Sequence, residues 1–199
     1  MKKIIALAAI AAACSTSAFA QVSNFTGFSA AVNMTMDAAS TDFSGSGSIS
    51  DQSLGANLQA AYGYALNANT VLSVGATYAL TDAKAGNFVD NNNGAVTTKL
   101  KKQNSIYIEP GFLVAPSTLA YGKISFDSAT LDLSSAAGNG TADSKGTGFG
   151  IGIRTVLDKN LFLQIEAKQT VFDKARVSGN DVDHKTKTTT ASVGIGYKF

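Results

Sequence analysis

Residues 188–199, TTTASVGIGYKF, carry two opposite faces. Ala191, Val193, Ile195, Tyr197 and Phe199 form an apolar row, while Thr190, Ser192, Gly194, Gly196 and Lys198 form a small, polar one. A period of two belongs to a strand whose faces meet different surroundings. A soluble domain hides its apolar row against a core and has little use for an exposed phenylalanine at its last position. A sheet wetted by lipid uses both. This segment therefore narrows the chain to β-architectures with an outward, greasy face.

The same alternation recurs along the chain in segments of about ten residues, the weak per-segment pattern of a transmembrane barrel. Phe25 to Met36 sets Phe28, Ala30, Val32, Met34 and Met36 on one face. Ser53 to Leu66 does so with Leu54, Leu58, Tyr62 and Tyr64, and Thr70 to Leu80 with Leu72, Val74, Ala76 and Tyr78. Lys102 to Val114 points Ile106, Ile108, Pro110 and Phe112 outward and Tyr107 and Glu109 inward. Leu119 to Phe126 opposes Ile124 and Phe126 to Tyr121, Lys123 and Ser125. Gly146 to Leu157 alternates Phe149, Ile151 and Ile153 with glycines and Arg154, and Leu161 to Phe172 sets Leu163 and Ile165 against Gln164, Glu166 and Lys168. With residues 188–199 this makes eight strands.

Their connections fall into two classes. Asn67–Asn69, Ala115–Ser117 and Asp158–Asn160 are tight turns, so the strands they join are antiparallel neighbours. Asp37–Asp51, Thr81–Lys101, Asp127–Lys145 and Asp173–Lys187 are polar, rich in turn formers, and read as long loops. Long loops alternating with short turns are what an even-stranded barrel shows when the loops face outside and the turns face the periplasm. The expected fold is an all-β, eight-stranded antiparallel up-and-down transmembrane β-barrel. With the N-terminus on the periplasmic side, Phe28, Tyr62, Tyr64, Phe112, Tyr197 and Phe199 fall at one membrane rim. Tyr78, Phe126 and Phe149 fall at the other, giving two aromatic girdles.

The start of the chain agrees. Lys2 and Lys3 precede an apolar run from Ile4 to Ala13, and Ala18-Phe19-Ala20 is a small-x-small cleavage site. Residues 1–20 read as a cleaved secretory signal and residues 21–199 as the barrel domain. The alternative, a lipoprotein signal ending at Cys14, has Ala11 where a leucine-like residue is usual. The two leader lysines account for the formal net charge of +2, so no basic field argues for nucleic acid. Cys14 is the only cysteine, and it too lies in the leader, which leaves no disulfide, thiolate nucleophile or cysteine metal site. No later stretch is apolar over the roughly 20 residues that a spanning helix needs.

LAYGKISF at 119–126, GTGFGIGIRTVL through DKN into LFLQIEAKQTVF at 146–172, and the closing GIGYKF resemble eight-stranded bacterial outer-membrane barrels of the opacity-protein and OmpA/OmpX-like class. The resemblance covers most of the barrel domain. It departs at Ala167, where relatives often carry an aromatic, and it does not extend to cell-wall anchoring of the OmpA kind. It implies an integral protein of the Gram-negative outer membrane with both termini periplasmic, a monomer, with lipid and lipopolysaccharide as neighbours. It further implies a C-terminal strand, here Val193, Ile195, Tyr197 and Phe199, read by the barrel-assembly machinery after periplasmic chaperones have carried the chain.

An eight-stranded barrel is just wide enough for side chains to fill. Glu109, Lys123, Arg154, Glu166 and Lys168 are predicted to face inward, where unpaired charge is costly, and Glu166 with Arg154 or Lys168 is the first pairing expected. Two readings of the lumen stand side by side: a polar network that plugs it, or a narrow pore for small solutes or ions left by the inward glycines. Lys84, Lys99, Lys101 and Lys102 flank the second loop and Lys174, Arg176, Lys185 and Lys187 the fourth. They either pair with lipopolysaccharide phosphates or simply keep loops solvated.

Enzymatic chemistry finds no foothold. His184, the sole histidine, sits among charged loop residues, no G-x-S-x-G or H-E-x-x-H motif occurs, and the glycines of 146–152 follow the strand pleat rather than a dinucleotide motif. DNNNG at 90–94 lacks the spacing of a calcium loop. No cofactor or metal is expected. The functional expectation is an integral outer-membrane barrel with a structural or surface-interaction role, its four extracellular loops making the partner contacts.

Overall fold

The computed structural model describes residues 22–43, 47–90, 94–135, 138–173, 175–176 and 183–199. The leader at 1–20 with Cys14, the expected mature start at Gln21, the centre of DNNNG at 91–93 and Lys174 lie outside the described residues. A short 3-10 helix, Val22–Phe25, precedes ten strands: β1 (Gly27–Phe43), β2 (Gly47–Ala65), β3 (Thr70–Ala79), β4 (Ala83–Asp90), β5 (Gly94–Ala115), β6 (Thr118–Ser135), β7 (Gly138–Val156), β8 (Leu161–Phe172), β9 (Ala175–Arg176) and β10 (Asp183–Lys198). Both β3 and β4 pair with β5, and both β8 and β9 with β10, so each of these couples is one wall strand with a break in it. The wall thus has eight strands, every neighbour antiparallel, and β1 pairs β10 from Ser29↔Lys198 to Phe43↔His184 to close the ring. Through the membrane-spanning part closure pairs every strand on both sides, as a sheet in lipid requires, while beyond it, among the described residues, β2 and β4 run side by side without ladder rungs.

The sidedness of the sheet is the reverse of a soluble protein's. Leu54 is 78% exposed and Ile151 71%, whereas Glu109 is 1% exposed and Lys123 and Arg154 4% each. A surface of this kind is stable only in hydrocarbon, since a monomer in water rarely exposes apolar patches beyond a few hundred Å². The aromatics sort as expected. Phe28 lies opposite Tyr62 and 5.5 Å from the Phe199 ring, which is 5.2 Å from Tyr197, all near the short-turn end. Tyr78, Phe126 and Phe149 are exposed nearer the long-hairpin end.

The inward and outward sets on β5 and β6 are those the alternation indicates: Tyr107, Glu109, Tyr121, Lys123 and Ser125 are buried and Ile106, Ile108, Phe112, Ile124 and Phe126 are exposed. Pro110 faces outward, and the ladder to β6 lapses between Ile108↔Ile124 and Gly111↔Tyr121 before resuming in the same register. A missing N–H costs one rung there, not the strand.

Three of the four segments expected as long loops are mostly strand, and the fourth is strand at 175–176 and 183–187. β1 runs through Asp37 to Phe43, β2 begins at Gly47, β5 begins at Gly94, β6 runs to Ser135, β7 begins at Gly138 and β10 begins at Asp183, so His184 sits in a strand. A membrane crossing needs about 9–11 residues; β5 has 22 and β2 and β7 have 19 each. The surplus has its own inner core: Ala39, Ala83, Ala85, Leu100, Ala129, Leu131 and Phe172 are all buried together. No one segment looks apolar enough to pack, but five wall strands contribute side chains to a single cluster. At the opposite end Phe25, Val71, Leu113 and Leu119 form a second apolar cluster, flanked by Val22 and Val156.

Candidate functional site: the filled lumen

Between these two apolar clusters lies a polar layer. Glu109 on β5 receives cations from two sides, with Arg154 Nη2 of β7 at 3.0 Å from Oε1 and Lys123 Nζ of β6 at 3.6 Å from Oε2. Neither oxygen gains a well-directed hydrogen bond from the protein, so Glu109 is held by charge. Lys123 also donates to Glu166 of β8, which accepts from the Tyr121 hydroxyl at 3.1 Å. Tyr107 lies under the ammonium, 4.3 Å from ring centre to Lys123 Nζ, and the Arg154 guanidinium sits between the rings of Tyr121 at 5.3 Å and Phe162 at 5.1 Å. Cation–π contacts of this kind suit desolvated cations.

An amide relay continues around the lumen. Arg154 Nε donates to Gln164 Oε1 (3.2 Å), and Gln164 Nε2 donates to Asn33 Oδ1 (2.6 Å) and Gln59 Oε1 (2.9 Å). Asn33 Nδ2 passes on to Asn57 Oδ1 at 2.7 Å, and Gln59 Nε2 to the Tyr107 hydroxyl at 2.7 Å. Ions and amides together tie β1, β2, β5, β6, β7 and β8 across the interior. Such a network also fixes register, because a slip of one residue would turn every charge into lipid.

The pairings differ from those first expected. Glu166 pairs Lys123 rather than Arg154 or Lys168, Arg154 pairs Glu109, and Lys168 pairs Asp127 at 2.7 Å. The shear of the barrel offsets neighbouring strands, so charges near one another in sequence sit at different heights. Asp127, read as loop, belongs to the interior with Ser125, whose hydroxyl donates to it at 2.7 Å. Carrying the alternation of Tyr121, Lys123 and Ser125 two residues further would have found it.

Two of the inward glycines are covered by tyrosine rings. A Cβ on Gly75 would lie 2.5 Å from the Tyr107 hydroxyl oxygen, and one on Gly152 would lie 2.5 Å from that of Tyr121. Each glycine is the floor on which a ring rests. Gly152→Val should therefore destabilise the barrel by about 1–3 kcal/mol through overpacking, checked by urea unfolding in lipid vesicles. The lumen holds a polar cavity of about 70 Å³ lined by Asp37, Thr77, Gln103, Asp127, Lys168 and Thr190 among others. It is large enough for a few waters.

The lysines of the second hairpin gather on the outer wall above the girdle. Lys84 and Lys99 are directly opposite across β4 and β5, Lys102 is exposed, and Lys101 pairs Asp132 at 2.9 Å. The hydrogen bond with Asp132 raises the Lys101 pKa, and the same bond lowers that of Asp132. Val193, Ile195, Tyr197 and Phe199 face outward on and just beyond β10.

A closed antiparallel ring of eight strands, greasy outside and charged inside, defines an integral barrel of the bacterial outer membrane. Residues 6–199 match the family described as the outer membrane protein beta-barrel domain, and the chain belongs to that family. Solved structures similar to it include Neisserial surface protein A, at 18% identity and a TM-score of 0.57 over 87% of this chain and 98% of that one. Ail, the attachment invasion locus protein of Yersinia pestis, is 15% identical with a TM-score of 0.54 over 87% and 100%. The outer membrane protein OprG from Pseudomonas aeruginosa is 13% identical with a TM-score of 0.51 over 87% and 96%. At these identities the likeness is one of fold. No curated protein matches the chain in sequence.

Proposed function

We propose that this barrel is a non-enzymatic, non-conducting outer-membrane protein that reinforces the envelope and presents its four long hairpins at the cell surface, with both termini periplasmic. The observation that carries this reading is the stacking of the lumen: an apolar cluster at each end and a neutralised ionic layer between them. An ion crossing it would have to be dehydrated at each apolar cluster. The lysines beside the second hairpin then serve as contacts to lipopolysaccharide phosphates, and the outward row of β10 as the strand the assembly machinery reads.

In a planar bilayer the purified protein is expected to give no reproducible current steps. Regular single-channel openings would replace this reading with that of a narrow pore.

A further inference from the structure

One strip of the outer wall departs from the regularity of the rest. Pairing of β3 with β5 stops at Tyr78↔Asn104 and resumes, through β4, at Ala83↔Leu100. In the interval the chain leans toward β2, with Leu80 N donating to Ala56 O at 2.8 Å. On the other side of β5 the register with β6 shifts between Lys101 and Asn104. Lys102 occupies that bulge at φ 51°, a left-handed conformation that a residue with a Cβ adopts only under constraint. A second bulge separates Lys84 from Gly86. Bulges re-aim side chains, and these two lie just beyond the girdle residues Tyr78 and Phe126, at headgroup level.

The charges there are arranged against the chain's own interest. Lys84 faces Lys99 across the ladder, a like-charge pair that is destabilising. Asp132 is the register partner of Lys99 and feels its charge, but makes its ion pair with Lys101. Asp82 is the other acid acting on Lys101. An anion lodged among Lys84, Lys99 and Lys102 would relieve the repulsion.

Directly below, on the lipid side, the wall is hollow. Ala30, Ala60 and Ala76 lie in one row of the ladder, with Phe28, Tyr62 and Val74 in the row beneath and Val32, Leu58 and Tyr78 in the row above. The alanine floor belongs to an outward-open concavity of about 770 Å³ that runs from Ile195 and Tyr197 on β10 across to Ile106 and Asn104, where it ends beside the Lys102 bulge. One end of the groove and the cations are separate features that adjoin, one apolar and one charged, stacked in the order of a lipid's tail and head.

We infer that this strip binds one outer-leaflet lipid with a phosphorylated sugar headgroup, an acyl chain seated on Ala60 and Ala76 and the phosphates held by Lys84, Lys99 and Lys102. The inference rests on the outward placement of the long hairpins proposed above. It does not depend on whether the lumen conducts. Native mass spectrometry of the purified barrel, titrated with diphosphorylated lipid A, tests it. Wild type should retain one lipid A and retain dephosphorylated lipid A at least tenfold less well. The combined Lys84→Gln, Lys99→Gln, Lys102→Gln variant should lose at least tenfold in retention, Ala76→Phe should also weaken it, and Lys159→Gln, in a turn at the other end, should not.

Equal retention of the dephosphorylated lipid needs no variant to be observed, and it would overturn the proposal. So would an unaltered triple variant that still shows the heat-modifiable gel shift of a folded barrel, an unaltered Ala76→Phe variant, or a second copy of the chain in place of the lipid. Current steps in the bilayer experiment with lipid A retention intact would unseat the closed-lumen reading and leave this one standing.

Discussion

Glu109→Ala is expected to lower the unfolding free energy of the barrel by about 3–5 kcal/mol, the usual cost of stranding a buried charge. Arg154 is 4% exposed, and without Glu109 its guanidinium keeps only the amide oxygen of Gln164 and two ring faces. Glu166→Gln should cost less. Its side chain is 11% exposed, and Lys123 would still have Glu109. Removing both partners, as Glu109→Leu with Arg154→Met, should restore much of the loss, because a buried ion pair is often no better than a well-packed apolar one. The chain has no tryptophan, so urea unfolding in vesicles is best followed by circular dichroism and by the gel shift. A Glu109→Ala midpoint within error of wild type would show that water, not Glu109, compensates Arg154.

Leu100→Ala is the second large effect, at about 2–5 kcal/mol for a cavity at a fully buried leucine, with its consequence confined to one end of the molecule. Leu100 is 0% exposed in the apolar cluster of the extended hairpins, and the transmembrane part does not lean on it. The wild-type hairpins should resist trypsin despite carrying Lys84, Lys99, Lys101 and Lys102, because strand backbone does not fit a protease cleft without local opening. In the variant, cleavage at those lysines should become at least tenfold faster while the gel shift of the barrel persists. Equal cleavage rates would mean that the cluster does not hold the hairpins.

The transmembrane half of the fold is legible in the chain because lipid and lumen impose opposite demands on alternate residues. Tyr107, Glu109, Tyr121 and Lys123 could be oriented from spacing alone, even past Pro110. The extended half is not, since Ala39, Leu100, Leu131 and Phe172 are too sparse in any one segment to mark a strand and make sense only once the ring brings them together. The same limit governs the site. That charged residues face inward follows from the pleat, whereas the choice of Lys123 over Arg154 as the partner of Glu166 depends on strand stagger. Polar residues without charge, such as Asn33, Gln59 and Gln164, give no signal distinguishing a relay from an ordinary pleat.

The pairing of β1 with β10 joins the first and last strands of the ring along fifteen rungs, Ser29↔Lys198 to Phe43↔His184. Such a join is the most non-local contact a chain can make, and contacts of that kind are slow to form. Translation delivers β10 after the other wall strands, so until it docks, β1 and β8 each present a ragged border able to zip onto a stranger. The interval between synthesis and closure is therefore the dangerous part of this protein's life, and a few residues trimmed from β10 would prolong it indefinitely.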